Sequence, residues 1–213
     1  MEQALDRYIR EHSTPQGEVL DWLEKQTNIH TNYPRMLSGA VQGRLLTMLV
    51  EMTGAKRVLE IGAFTGYSST CMAYGLPQDG HIDTLEINDE LEDLMREAWH
   101  RAGVEDKVSL HIGDARDTLK SFVDEGRKFD FVYMDANKRQ YLEYYELCMQ
   151  MLSSGGVILA DDTLWDGKVY ADVVSGDKQT QGLVAFNDMV ASDPRVEVAV
   201  LPIRDGLTII RKK

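Results

Sequence analysis

From Lys56 onward the chain alternates short β-rich runs with helical stretches, and this alternation restricts the fold more than any other feature of the sequence. The β-rich runs are KRVLEIG, HIDTLEI, VSLHIG, FDFVYMD and GGVILADD. Between them, helical patterns start at about Tyr67, run from Asp89 to Ala102, start again at Thr118, and pass through Tyr141 to Met151. Strands separated by helices are joined by crossovers, so the five runs predict parallel neighbours in an open α/β sheet with helices on both faces. A helix near Leu183 to Val190 precedes VEVAVLPI and LTIIRKK, which flank Arg204-Asp205-Gly206. Asp-Gly between two β runs signals a hairpin, so the sheet is expected to end in an antiparallel pair, making seven strands.

The first 55 residues read as a helical preface to the α/β core 56–213, within one domain 1–213. Leu5, Tyr8, Ile9 and His12 fall at helical spacing, and Thr14-Pro15 predicts the cap and first position of a second helix carrying Val19, Leu20 and Leu23. Ser38 precedes a third, with Val41, Leu45, Met48, Leu49 and Met52 on one face and Gly54 as its stop. No repeat or Pro/Ser-rich linker invites a division of the chain.

Composition narrows the partners. Lys plus Arg total 23 against 35 Asp plus Glu, a formal charge of −12 spread along the chain, which argues against affinity built on nucleic-acid phosphates. Cys71 and Cys148 have no partner at a CxxC spacing, so neither a disulfide framework nor a zinc ribbon is expected, and a reducing compartment fits. The N-terminal MEQALDRYIREH lacks the apolar stretch of a signal peptide and no later run is long enough to span a bilayer. The expectation is a cytoplasmic, unanchored protein.

Open α/β sheets bind ligands beyond the carboxyl ends of their strands. In this chain those positions are Glu60-Ile61-Gly62, Glu86, Gly113-Asp114-Ala115, Asp135 and Asp161-Asp162, nearly all small or acidic. Gly62 and Gly66 sit in a turn that opens a helix, where backbone comes close to a ligand and free N–H groups face it. The spacing is GxxxG rather than GxGxxG, and no P-loop Lys-Ser/Thr pair follows, which disfavours a pyrophosphate. Glu86 closes the next strand, where an acid accepts hydrogen bonds from ribose hydroxyls. Glycine-bearing strand-to-helix turns are common in α/β proteins, but Glu60 beside this one suits an amino group or a sulfonium ligand such as S-adenosylmethionine.

VLEIGAFTGYSS, with Glu86 and Gly113-Asp114-Ala115, resembles the successive motifs of class I S-adenosylmethionine-dependent methyltransferases. More narrowly, the chain from about Met36 to DGLTIIRKK resembles the cation-dependent O-methyltransferases typified by catechol and caffeoyl-CoA O-methyltransferases. The resemblance implies a Rossmann-like fold and a set of cofactor contacts. Gly62 would lie against the methionine part, Ser68 would bond its carboxylate and Glu60 would sit near its amino group. Glu86 would hold the ribose, Asp114 and Ala115 would flank the adenine, and Met36 and Ser38 would close over the cofactor, with Ser38 also suited to a plain helix cap. Asp135 is counted among the cofactor-binding and catalytic residues as well as the metal ligands.

Asp135, Asp161 and Asp162 converge at one sheet edge if their strands are neighbours. Carboxylate oxygens suit a hard cation, Mg²⁺ first, with Mn²⁺ or Ca²⁺ as substitutes, although a strand-end aspartate also caps a following helix. The corresponding family segments read DADK and ADN, whereas this chain has Asp135-Ala136-Asn137-Lys138 and Ala160-Asp161-Asp162. One acid has become an amide and one amide an acid, so Asp162 is expected to take the third ligand position. Lys138 matches the family's general base; taken alone it reads as a surface lysine at a helix start.

The substrate is thinly marked. Tyr33, Arg35, Met36, Tyr141, Trp165 and Tyr170 are candidates to line a pocket for an aromatic group, with Trp165 equally suited to packing under a loop. Arg35 or Lys168 would meet an anionic tail such as a CoA phosphate. The leading expectation is a small-molecule O-methyltransferase, a homodimer by family resemblance. Two alternatives stay open: a tRNA hydroxyuridine O-methyltransferase, and a non-catalytic or NAD-binding Rossmann module.

Overall fold

The computed structural model describes residues 2–171 and 175–213. Its elements follow in the order α1 (Glu2–Glu11), α2 (Glu18–His30), α3 (Gly39–Thr53), β1 (Arg57–Ile61), α4 (Tyr67–Gly75), β2 (His81–Glu86), α5 (Glu92–Ala102), β3 (Val108–Ile112) and α6 (Ala115–Asp124). Then come β4 (Phe129–Met134), α7 (Tyr141–Met151), β5 (Leu152–Asp161), α8 (Lys178–Ser192), β6 (Val196–Leu201) and β7 (Leu207–Lys212). The strands form one seven-stranded sheet in the order β3-β2-β1-β4-β5-β7-β6. β4 pairs in parallel with β1 and β5, and β7 pairs antiparallel with β5 and β6. All seven expected strands are present, and the Asp-Gly turn closes the final hairpin.

Several boundaries differ from the expected ones, each for a local reason. α2 starts at Glu18 behind Gly17 rather than at Thr14-Pro15. There the Gln16 amide donates to Asp21 and Glu24, using an acceptor pair no capping rule anticipates. α6 starts at Ala115, ahead of Thr118, because the Asp114 carboxylate caps it by accepting the Arg116 N–H at 2.9 Å. β5 starts at Leu152, and its register against β4 shifts between Phe129 and Phe131.

Over the described residues the chain divides into two compact units. The first comprises Met1–Lys56, Ala63–Ile82 and Asn88–Leu110. Its close contact is α3 on α4, where a Cβ on Gly43 would meet Cys71 Sγ at 2.7 Å and one on Gly75 would meet the Thr47 carbonyl at 2.4 Å. The Thr47 hydroxyl donates to the Cys71 carbonyl at 2.7 Å across this seam. α3 therefore buries Gln42, Gly43, Leu46, Thr47 and Val50, the face opposite to the apolar stripe read from the sequence. Val41, Met48 and Met52 are exposed instead, because small side chains let two helices approach more closely than methionines do.

The second unit comprises Arg57–Gly62, Asp83–Ile87 and His111–Lys213. Its core joins Leu59 and Ile61 of β1, Phe129 and Val132 of β4 and Ile158 of β5 to Tyr145 and Cys148 of α7 and Phe186 of α8. Each large apolar side chain fully buried there contributes about 1.5–3 kcal/mol relative to exposure. Asp83 carries a charge among these residues by accepting hydrogen bonds from His111 at 2.7 Å and Arg127 at 2.8 Å. Burial raises its pKa, but the hydrogen bonds from His111 and Arg127 and the guanidinium charge outweigh burial and hold it below the ordinary carboxylate value.

Candidate active site

The strand order reverses between β1 and β4, the place where an open α/β sheet leaves a crevice at its carboxyl edge. Gly62 and Asp135, the residues just past these strands, are pressed together there. Gly62 has φ +95°, and a Cβ on it would lie 2.1 Å from the Asp135 carbonyl oxygen. The Asp135 N–H donates to the Ile61 carbonyl and the Gly62 N–H to the Leu85 carbonyl, both at 2.9 Å. The glycine is thus required by the joining of β1 to β4 before any ligand is considered.

Glu60 is fully buried, and its carboxylate accepts a hydrogen bond from the Thr84 hydroxyl of β2. A buried acid needs such partners, and the one from β2 gives no spacing signal in the sequence. Glu86 closes β2 half-buried, with one carboxylate oxygen accepting the Ile87 N–H at 2.9 Å. It stands at the carboxyl end of its strand, where the sequence places it. Asp114 caps α6 and also pairs with the Arg116 guanidinium at 2.5 Å. The hydrogen bonds from Arg116 hold its carboxyl down at about 2. Ala115 is the first residue of that helix.

Met36, Ser38 and Ser68 belong to the first unit. Met36 is exposed, in a short helical turn Pro34–Met36. Ser38 stands at the start of α3 but its hydroxyl makes no capping hydrogen bond, so the plain cap reading is not realised. Ser68 is buried in the first turn of α4, which opens behind Gly66 at φ +81°.

Beyond β4 and β5 the structure brings Asp135, Lys138 and Asp162 together. The Lys138 Nζ donates to Asp135 Oδ1 at 2.7 Å and lies 2.9 Å from Asp162 Oδ2. Lys138 is buried, not the surface lysine its sequence position alone suggests. Its third donor meets the Tyr141 hydroxyl at 2.8 Å, and that hydroxyl in turn donates to the Asp161 carbonyl at 2.9 Å. Tyr141 is fully buried beneath the lysine, so it supports Lys138 and does not line a pocket. Burial works against the charge on Lys138, but Asp135, Tyr141 and Asp162 outweigh it and hold the ammonium well above its ordinary pKa.

Asp161 is committed to neighbours: Oδ2 accepts from the Tyr133 hydroxyl at 2.6 Å and Oδ1 from the Asp162 N–H at 2.9 Å. Burial and the adjacent Asp135 and Asp162 carboxylates push its pKa up. Asn137 accepts the Arg139 N–H at 3.2 Å and so serves as a cap. Among the described residues no three His, Cys, Asp or Glu side chains stand as a ready-made metal group. The donor set still fits a hard cation by chemistry: carboxylate oxygens, an excess of negative charge, and an ammonium seated between two of the acids.

The loop after β5 completes this edge. The Trp165 indole packs on the core, with Lys138 Nζ 5.9 Å and Lys168 Nζ 5.8 Å from its ring centroid. Tyr170 is exposed, as are Tyr33 and Arg35 of the first unit. No helix among the described residues is long and apolar enough to cross a membrane.

Comparison with known proteins gives concordant matches. A family model described as O-methyltransferase matches residues 10–213. The caffeoyl-CoA O-methyltransferase of Eucalyptus gunnii is 35% identical over 218 residues, covering 98% of this chain and 87% of that protein. Among solved structures, an O-methyltransferase from Bacillus cereus in complex with SAH superposes with a TM-score of 0.91 at 31% identity, over 99% of this chain and 97% of that one. TomG from Streptomyces achromogenes, an O-methyltransferase of tomaymycin synthesis in complex with SAM, also gives 0.91, at 30% identity over 99% and 96% of the two chains.

Proposed function

The chain belongs to the O-methyltransferase family, and on that premise we propose that it transfers the methyl group of S-adenosylmethionine to a hydroxyl of a catechol-like or caffeoyl-CoA-like small molecule, assisted by a divalent cation. The observation that carries this reading is Lys138, held by Asp135 and Asp162 beyond the ends of neighbouring strands. In the reaction the acceptor oxygen forms a bond to the methyl carbon, the sulfonium–methyl bond breaks, and its electron pair returns to sulfur. The acceptor hydroxyl gives up its proton, and a phenol ionising near pH 10 needs help to do so at pH 7.

We assign the handling of that proton to Lys138. Asp135, Asp161 and Asp162 would hold the cation, Mg²⁺ or in its place Mn²⁺ or Ca²⁺. When bound, such an ion lowers the pKa of a coordinated hydroxyl and draws on the carboxylates that keep Lys138 protonated. Lys138 and Asp162 are already paired, so a cation held by this chain's acid at 162 would share that carboxylate with the lysine. Trp165 is assigned to the face of the acceptor ring.

The cofactor roles of Met36, Ser38, Glu60, Gly62, Ser68, Glu86, Asp114, Ala115 and Asp135 are part of the same proposal. For Asp114, the role is one its carboxylate would share with Arg116. Glu86 gives the sharpest test. Glu86→Ala is expected to weaken S-adenosylhomocysteine binding about 30- to 100-fold, the loss of charge-assisted hydrogen bonds worth about 2–3 kcal/mol. Titration calorimetry reads it, and an affinity within about threefold of wild type would remove Glu86 from the ribose.

The proposal includes a cytoplasmic homodimer. The exposed stripe of Val41, Met48 and Met52 on α3 supports association, and light scattering that returns the 24.1 kDa monomer would end that part. For the reaction, labelled S-adenosylmethionine is offered with catechols, caffeoyl-CoA and bulk tRNA, in Mg²⁺ or in EDTA. Labelled catechol or caffeoyl product is expected in Mg²⁺, falling at least about tenfold in EDTA. Undiminished transfer in EDTA would reject the cation, and label entering tRNA alone would reject the small-molecule acceptor.

A further inference from the structure

The loop that carries Trp165 is strained. Trp165 and Asp166 have φ of +48° and +53°, followed by Gly167 at +76°. A left-handed backbone at a residue as large as tryptophan is a true outlier, and persists only where surrounding structure imposes it. The surrounding structure here is the turn between β6 and β7. The Asp205 carbonyl accepts the N–H of Leu164 at 2.7 Å and of Trp165 at 3.1 Å, and the Gly206 carbonyl accepts the Thr163 N–H at 3.1 Å. Gly206 has φ +94°, and a Cβ on it would lie 2.5 Å from the Leu164 nitrogen. The turn is therefore seated directly on the loop's backbone, with no room for a side chain between them.

We propose that the Asp205-Gly206 turn is a positioning element for Trp165: it fixes the indole over Lys138 and thereby sets where an aromatic acceptor lies relative to the lysine. The inference rests on the assignment of Trp165 and Lys138 made above, and it adds a determinant that touches neither acceptor nor cofactor. It also explains why the indole keeps its place near Lys138 and Lys168, 5.9 and 5.8 Å from its centroid, although the loop itself has only half-buried and exposed residues from Leu164 to Tyr170. Without the Asp205 and Gly206 carbonyls the left-handed backbone would be free to relax, and the indole to shift against the core it packs on.

The test is a double-mutant cycle on the full chain with a catechol as acceptor. Gly206→Ala is expected to raise the acceptor KM about tenfold, with kcat and S-adenosylhomocysteine affinity each within about threefold of wild type. Trp165→Ala is expected to raise KM similarly. The double variant should be no worse than Trp165→Ala alone, because the turn has nothing left to position. If the two effects multiply, or if Gly206→Ala weakens cofactor binding as much as it raises KM, the turn acts through general destabilisation and the proposal is overturned. Should Gly206→Ala fail to fold, hydrogen exchange of the wild-type chain decides: protection of the Leu164 and Trp165 amides comparable to β5 is expected, and exchange within seconds would overturn it. A wild-type chain inactive on every acceptor would count against the functional reading instead, leaving amide protection to judge the turn.

Discussion

Replacing Lys138 by methionine is expected to lower kcat by about 10²- to 10⁴-fold, the usual contribution of a group that moves a proton in the transition state. Methionine keeps an apolar stem of similar length over Tyr141 and removes only the ammonium, so the effect isolates charge and proton from packing. The same change leaves Asp135 and Asp162 without their shared partner, so thermal stability must be measured beside activity. S-adenosylhomocysteine binding by calorimetry should stay within about threefold of wild type. Lys138→Arg divides the two roles that one ammonium can play. Guanidinium keeps the positive charge and does not deprotonate in a protein. A near-normal kcat in Lys138→Arg would mean that the charge alone, steadying a phenolate, is what the reaction uses. A loss matching Lys138→Met would mean that the proton must move through the lysine. Should Lys138→Met retain most of its kcat, the residue has no part in the chemistry.

The second large effect is structural. Gly62→Ala is expected to lower the melting temperature by about 4–24 °C, for two separate reasons. The backbone at φ +95° strains any residue with a Cβ, and that Cβ would fall 2.1 Å from the Asp135 carbonyl oxygen. Strain of about 1–3 kcal/mol and overpacking of about 1–3 kcal/mol combine, at about 2–4 °C per kcal/mol for a chain of this size. The clash is with main chain, so relief requires the end of β4 to move, and Asp135 moves with it. Activity should therefore fall further than stability alone accounts for. Scanning fluorimetry that finds Gly62→Ala melting within about 2 °C of wild type would show that the approach of the two backbones is far looser than 2.1 Å implies.

Much of this edge was legible in the residues. The β runs are short, apolar and bounded by turn-forming residues, so strand existence and the position of each strand end could be read without knowing the sheet order. Glu60, Gly62, Glu86, Asp135, Asp161 and Asp162 all stand at those ends in the structure. Helix faces were less legible. α3 presents a continuous stripe of large apolar side chains, yet buries the face with Gly43 and Thr47, since close approach is decided by what is small and an apolar count weighs only what is large. Roles of single side chains were harder still. Tyr141 carries a ring suited to a pocket and is buried beneath Lys138; Asp114 caps α6 and pairs with Arg116, partners that its place at a strand end does not announce. The hold of Asp205 and Gly206 on the Trp165 loop had no signal at all beyond the hairpin itself, because a backbone carbonyl is carried by every residue type.

The sheet order has a consequence for how the chain is made. β5, which delivers Asp161, lies between β4 and β7, and β7 is the last strand in chain order. A nascent chain emerging from the ribosome has β4 available to pair with β5 well before β7 is synthesised. During that interval one margin of β5 is open, with Val157, Ile158 and Leu159 in a strand paired on one side only, the kind of edge that invites association with other chains. Translation speed and chaperone supply over the stretch from α8 to β7 should therefore govern the yield of folded protein more than the same variables over the first half of the message.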